Sequence, residues 1–401
     1  GWDAHWSHKL RVYDYKHMEV RPEIDAIWES MYKGISYVNN MLENLAERDS
    51  SAFALYNVYK AEGLGLRAFM HFELLRLFSE SILQNSEATG IPYREKYSYQ
   101  VTQFDPIKVS YEKIIRDFKE AERLLTVHGE YFDREDENAG GFIKDRVIHM
   151  NLYAVQALLA RVYWGKGDLE TAKNYAMKGI EECPFFKMEE KTDVEDMVNG
   201  VISNKETIWG LYSEEFPNFT RDVLYYNGGS FTYDPKPDYR DIYEVDQDGF
   251  DYRLDKWFQT LSDHGAEGLR CMKVVDRFKV RLGARPVSKL SGINMIRLPE
   301  LYYIITEYYL SLENQDEAVK YFDKVLQSRG LTGYADRQGA TLTLEKVIQE
   351  RRKELICEGQ YFFTQKRYNQ SIYEPKSGKL YPASNDIYVF PLPENETEYR
   401  Y

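Results

Sequence analysis

The chain has 401 residues, enough for a large core and for one big or two ordinary domains. Its net charge of −13 denies it the basic face that nucleic acid requires, and no run of 18 apolar residues is present to span a membrane as a helix. Three cysteines, Cys183, Cys271 and Cys357, supply neither a disulfide framework nor a Cys-x-x-Cys metal pair, and Cys183 and Cys357 sit in helical patterns as small apolar residues expected to be buried.

Residue 1 is Gly and no leader-like apolar segment follows, as expected where a targeting segment has been removed or the chain starts late. Residues 1–15 are rich in Trp, His and Tyr without a clean period. Asp3, His5, His8 and His17 show no identifiable second shell, so no metal and no other cofactor is expected. Pro22 then opens a helix in which Ile24, Ile27, Trp28, Met31, Ile35, Val38, Met41, Leu42 and Leu45 keep helical spacing. Residues 52–83 form a second helix, apolar around most of its circumference and so central in the core. Its Gly63 and Gly65 lack the third glycine and the preceding strand of a nucleotide loop, and serve close helix packing. Gly90-Ile91-Pro92 is a turn, 110–125 a third helix, and 127–146 a polar connection.

An internal repeat follows. Tyr163, Ala172, Ala176 and Pro184 match the offsets of a tetratricopeptide unit, and a shift of 146 positions places Tyr309, Ala318 and Phe322 in corresponding places, with Gly330 at the proline position. The small residues fall where two helices of a hairpin cross, and Asp168 and Asn314 are N-cap residues for the second helices. Between the units, over 185–295, the helical period fades. This stretch is expected to be long aromatic-rich loops with a few short strands and helices, Lys205–Tyr212 among the strands. Asp246, Asp248, Asp251 and Asp255 have their glycine at the fourth rather than the sixth position of a calcium loop, which leaves a solvated acidic loop.

Residues 343–368 read as one long helix, with Leu344, Ile348, Leu355, Gly359 and Phe362 on one face. Gly359 would let another backbone approach there. The dense flanking charges (Glu350, Arg351, Arg352, Lys353, Glu354 and Glu358) point to partly buried ion pairs, with Arg351 in reach of Glu354. A last segment, 371–401, lacks a regular period.

Four blocks carry a resemblance. ERRKELICEGQYFFTQKR resembles the C-terminal signature of RagB/SusD-type nutrient-binding lipoproteins through Glu350, Arg351, Arg352, Glu354, Leu355, Glu358, Gly359 and Arg367, with Tyr361 and Thr364 replacing its usual arginine and aspartate. Glu62, Leu66, Arg67, Ala68, Leu74, Arg76 and Phe78 match the family's early helix, where Ser79 replaces a glycine. Arg297, Leu298, Glu300, Tyr302 and Glu307 match a third block, and Pro391, Pro393 and Glu396 a closing one. The resemblance implies an all-α, tetratricopeptide-like scaffold over 22–184 and 296–370, a loop-rich ligand-facing region over 185–295 and a tail over 371–401, together one domain. It also implies a cell-surface protein of a Gram-negative outer membrane, held by a lipid anchor outside this chain. Such a protein binds oligosaccharides, or peptides, and passes them to a SusC-like TonB-dependent barrel.

The composition fits that role. Of the 401 residues 34 are tyrosine, whose apolar ring and polar tip suit a sugar's C–H face and hydroxyls. Trp2, Trp6, Tyr225, Tyr226, Phe231, Tyr233 and Tyr239 are the candidate ligand contacts; each could equally be loop or core packing. No H-E-x-x-H, Walker loop or nucleophile elbow occurs, so no enzyme is expected. Two alternatives stay open: a tetratricopeptide scaffold gripping a protein segment, and an all-helical glycan hydrolase whose carboxylate pair the sequence cannot place.

Overall fold

The computed structural model describes residues 6–51, 55–127, 141–190, 202, 205–220, 243, 250–263, 266–275, 290–374 and 377–398, with backbone alone for 6–7, 182, 260–263, 266–270 and 397–398. Helices dominate. After a short α1 (Trp6–Arg11), the long α2 (Arg21–Ala46) and α3 (Tyr56–Phe78) pack together, and α4 (Ile107–Thr126) lies along α3. Helix α3 buries residues on every side, from Val58 through Phe72 to Phe78, as its all-round apolar pattern requires. A Cβ at Gly63 would come within 2.6 Å of the Met41 methyl, and one at Gly65 within 2.6 Å of Met150 Cγ, so both glycines are needed for contact with neighbouring segments. Ser79, at the glycine position of the family block, has an extended backbone that any residue adopts.

The first repeat unit is α5 (Leu152–Lys166) and α6 (Leu169–Met177); the second is α9 (Leu298–Ser311) and α10 (Gln315–Ser328). Asp168 accepts from the Thr171 N–H and Asn314 from the Glu317 N–H, so both predicted N-caps form. The repeat extends to side chains. Tyr163 stacks on Tyr175 with 5.7 Å between ring centres and 8° between planes, and Tyr309 stacks on Tyr321 at 5.8 Å and 8°. The same shift of 146 positions relates both members of the pair. Ala172, Ala176 and Ala318 are fully buried at the helix crossings. Gly330 replaces the closing proline because the chain there takes a φ of +83°, which proline cannot adopt. The two hairpins meet through α6 and α9.

Between the units, the described residues hold α7 (Phe216–Thr220), α8 (Tyr252–Trp257) and four short strands: β1 (Thr207–Tyr212), β2 (Phe258–Asp263), β3 (Ala266–Cys271) and β4 (Gly292–Arg297). Strand β1 pairs antiparallel with β4, placing Trp209 opposite Ile296, and β2 pairs with β3 as a hairpin. Ile208, Trp209 and Ile296 join the main apolar core with α2 to α5 and α9. A second core gathers Tyr303, Ala318, Phe322, Val325, Leu326 and Val347.

The 343–368 stretch departs from the single helix expected. Helix α11 (Leu344–Glu354) ends at Leu355, Cys357 (φ +62°) and Gly359 (φ +73°) turn the chain through left-handed backbone, and α12 (Gln360–Arg367) resumes. Gly359 therefore owes its place to that conformation rather than to packing, since a Cβ there would meet nothing within 4 Å. Cys357 is exposed, not buried.

The charges of α11 are paired as expected, but with more distant partners. The Glu354 carboxylate accepts from Arg297 Nη1 at 2.8 Å, Arg329 Nη2 at 2.9 Å and Arg253 Nη1 at 3.1 Å, and all four side chains are buried. Glu206 accepts from Arg297 at 3.0 Å and Arg329 at 2.9 Å, while Glu350 takes Arg253 at 2.8 Å. The β1–β4 ladder builds this arrangement by setting Thr207 opposite Arg297. Burial would raise the Glu354 carboxyl, but Arg329 and Arg297 overcome it and hold the group well below its usual range. Arg351 does not reach Glu354; its guanidinium lies 4.3 Å from the centre of the Trp164 ring, and its Nε points to Thr364 Oγ1 at 3.4 Å. Thr364 stands where the signature that this stretch resembles has aspartate, and it gives Arg351 only this long hydrogen bond. Arg367 pairs instead with Glu307 at 2.9 Å.

Asp251 also departs from expectation. It is buried, caps α8 by accepting from the Arg253 N–H, and pairs with the Arg253 guanidinium at 2.8 Å. Asp246 and Asp248 lie outside the described residues.

Candidate functional site

The Glu350 and Glu354 carboxylates of α11 are buried and taken up by cations, Arg253 and Lys353 on the first and three arginines on the second. The open chemistry lies on the loop between α3 and α4. Its base is rigid. Tyr93 is buried, stacks on His71 at 3.9 Å, and donates to Asp117 Oδ2 at 2.6 Å. Asp117 also accepts from Arg67 Nε at 2.7 Å, and Arg67 donates onward to Asn39 Oδ1 at 3.1 Å and to the Glu95 carbonyl at 3.2 Å. Asn39 Nδ2 donates to the Arg94 carbonyl at 3.0 Å.

His71 completes this base with a defined tautomer. The Arg94 N–H donates to His71 Nε2 at 3.0 Å, so Nε2 carries the lone pair; Nδ1 then holds the proton and donates to the Arg67 carbonyl at 2.8 Å. Burial pushes this imidazole down to about 3, against the bond to the Arg67 carbonyl and with help from the Arg67, Lys113 and Arg94 charges. It is a neutral strut, not a proton shuttle.

Above the base, the loop projects outward. Tyr97, Tyr99 and Val101 are exposed, Tyr99 completely. Tyr99 lines a cleft of about 230 Å³ together with Tyr32, Pro92, Arg94 and the 100–102 segment. Asn395 and Glu396, from the short terminal helix Glu394–Glu398, close the far side. Glu396 is held by Trp28, whose Nε1 donates to Oε1 at 3.2 Å, and Tyr32 donates to the Pro92 carbonyl at 2.9 Å. The Tyr97 N–H donates to Glu43 at 2.8 Å. The arrangement sets one bare aromatic face beside amide, hydroxyl, guanidinium and carboxylate groups on a pinned loop. Such a surface can stack a flat apolar face and bond the polar rim around it.

A second cleft, of about 40 Å³, lies between Phe72, Trp164 and Phe363. Its cations are mostly engaged: Arg161 is bidentate with Glu300 at 2.7 Å, Arg76 with Glu73, and Lys366 donates to the Arg76 and Ser79 carbonyls.

Trp2, Tyr225, Tyr226, Phe231, Tyr233 and Tyr239 fall outside the described residues; Trp6 begins α1, described by its backbone alone. Asp3 and His5 fall outside as well, and among the described residues no group of three His, Cys, Asp or Glu is placed to hold a metal ion. The cleft residues were missed because Gly90-Ile91-Pro92 signals only a turn. The available signal was the alternation Tyr97-x-Tyr99-x-Val101, which in an unpaired segment presents its members to solvent.

The described residues thus form a helical-repeat scaffold carrying an aromatic-rimmed cleft. Comparison gives its family. Residues 3–164 match a family model described as starch-binding, associating with the outer membrane; residues 205–399 match the SusD family and 153–186 a tetratricopeptide repeat. The chain belongs to the SusD/RagB family. Among solved structures it is similar to a SusD superfamily protein of Bacteroides thetaiotaomicron (22% identity, 92% of this chain and 82% of that one, TM-score 0.71) and to one of Bacteroides vulgatus (20%, 92% and 82%, 0.72). A laminarin-binding SusD-like protein is 18% identical over 93% of this chain and 84% of its own, with a TM-score of 0.65. At these identities the likenesses establish the fold. No curated protein sequence matches significantly. Among the described residues no helix is long and apolar enough to cross a membrane.

Proposed function

We propose that the protein captures oligosaccharides without altering them, in the cleft rimmed by Tyr99, and hands them to a TonB-dependent barrel in the outer membrane. The observation that carries this reading is the fully exposed Tyr99 ring beside a cleft on a loop anchored by Arg67, His71 and Asp117. A ring carried on a loop this firmly anchored loses little freedom when a ligand docks. The family's starch-binding, outer-membrane description and the laminarin-binding neighbour agree in ligand class. Trp2, Trp6, Tyr225, Tyr226, Phe231, Tyr233 and Tyr239 are proposed as further contacts on the strength of their composition and region. The whole chain is proposed to act as one unit, the 185–295 segment borne by the scaffold.

Each stacked ring contributes about 0.5–1.5 kcal/mol if sugar stacking follows aromatic pairing, so affinity rests on several such contacts. The test is a glycan panel measured by calorimetry on the wild type, on Tyr97→Ala/Tyr99→Ala, and on Trp2→Ala/Trp6→Ala/Tyr226→Ala. Binding of one glycan class, weakened by the Tyr97/Tyr99 pair, supports the cleft. Weakening by the second set alone moves the site to the other loops. The absence of any glycan ligand sinks the reading. Recovery of a membrane barrel with the tagged protein from its native outer membrane tests the handover.

A further inference from the structure

Two of the three cysteines meet. Cys271 ends β3 and is buried; Cys357 stands exposed at the corner between α11 and α12; their sulfurs are 3.2 Å apart. The sequence places them 86 positions apart, which is why their count alone suggested no pairing. We propose that Cys271 and Cys357 form an intramolecular disulfide, a cross-link joining the β2–β3 hairpin to the corner of the C-terminal helices.

The surroundings hold both residues in place for it. Lys273, two residues beyond Cys271, donates to the Glu354 carbonyl at 2.6 Å and the Ile356 carbonyl at 3.2 Å, and pairs with Glu358 at 2.7 Å. It thus grips the chain on both sides of Cys357. The Met272 N–H, next to Cys271, donates across to the Trp257 carbonyl just before β2 at 2.7 Å, fixing the end of the hairpin. Closure to a bond of about 2.05 Å asks the sulfurs to move together by roughly 1.1 Å, a shift that side-chain rotation supplies. Cys183 belongs to the main apolar core instead.

The chemistry follows from exposure and charge. The hydrogen bond from Cys357 lowers the Cys271 thiol, burial opposes this, and Lys273 lowers it further. A small-molecule disulfide, RSSR, reaches the exposed Cys357 first. The hydrogen bond with Cys271 and burial hold the Cys357 thiol up, so Cys357 attacks one sulfur of RSSR as it passes its proton to the Cys271 sulfur 3.2 Å away; a mixed disulfide forms, and the departing RS⁻ takes that proton from Cys271. The Cys271 thiolate then attacks the Cys357 sulfur and expels the second RS⁻. Two electrons pass from the protein sulfurs to RSSR, and the two thiol protons end on two molecules of RSH.

The experiment uses the full chain treated with oxidised glutathione. The expected intact mass is two hydrogens below the reduced form, a peptide map under non-reducing conditions links Cys271 to Cys357, and alkylation after denaturation labels Cys183 alone. Reduction is expected to lower Tm by about 5 °C, the scale for opening a loop of this length in a chain of this size. Cys271→Ser/Cys357→Ser should show no response of Tm to reductant. Three alkylated cysteines after oxidation, or a bridge through Cys183, would overturn the proposal even if the variants fail to fold. A bridge that forms without raising Tm would overturn its role as a tie.

Discussion

Two regions of this protein use the same residue types to opposite ends. Around Glu354, arginines, glutamates and tyrosines are sealed away from water and satisfy one another; Arg253, Arg297, Arg329 and Tyr303 are all buried. At 94–102, arginine, tyrosine and polar side chains stand at the surface around a cleft of about 230 Å³. Composition does not tell the two apart. What separates them is whether partners come from the protein or are left to the solvent side. Charges that are mutually paired and buried hold the fold; rings exposed over a fixed base are available to something else.

The comparison fails if damage to the first region alters ligand affinity per folded molecule, or if loss of the exposed rings of the second alters stability. The largest effect is expected from Glu354→Ala, which takes the shared acceptor from three buried arginines. A loss of about 3–5 kcal/mol in chemical denaturation should result, with unchanged ligand affinity in the folded fraction. Acid should act on the same region. Glu354 and Glu350 are held below the ordinary glutamate value of 4.5, in both cases by neighbouring cations overcoming burial. Folding therefore favours their charged forms. The stability they contribute is complete above that value and is lost as pH falls below it; a flat denaturation free energy from pH 5 down to pH 3 would contradict the assignment.

Next comes His71→Leu, which leaves the part-buried Arg94 N–H without its acceptor. It should cost about 1–3 kcal/mol and also weaken ligand binding, because it loosens the loop that bears the cleft. Gly359→Leu should cost about 1–2 kcal/mol through the left-handed backbone, and Gly359→Asn clearly less; equal losses would point to packing instead. The smallest change is Tyr99→Ala, with Tm unmoved and affinity down about three- to tenfold. A large drop in Tm would make Tyr99 a structural residue.

Much of the scaffold was legible because it is written in local pattern. Asp168 and Asn314 announce helix starts, the alanines announce crossings, and the offset of 146 positions announces a repeat whose stacked tyrosines then appear in register. The break at 355–359 was not, because the apolar stripe through Leu355, Gly359 and Phe362 continues across it while two left-handed residues redirect the chain. The partners of Glu354 come from positions 253, 297 and 329, brought together by the β1–β4 ladder and the second hairpin; no local period encodes that. The cleft was hidden for a related reason. The loop that bears it is anchored by Asn39, Arg67, His71 and Asp117 on three helices, and the one local clue, alternate aromatics at 97 and 99, looks the same in an ordinary loop.

The repeat has a consequence for the order of events during synthesis. Helices α6 and α9 touch, and a Cβ at Gly179 would stand 2.6 Å from Leu301, yet more than a hundred residues separate the two hairpins. A chain emerging from its amino end completes the first hairpin long before its cover exists. The face around Gly179 must wait, uncovered, while the whole intervening segment is made. Contacts of such long sequence separation form slowly and leave apolar surface open to the wrong partner. Assembly of this scaffold is thus paced by the segment it carries, and a truncation before residue 298 should yield a first hairpin that aggregates rather than one that stands alone.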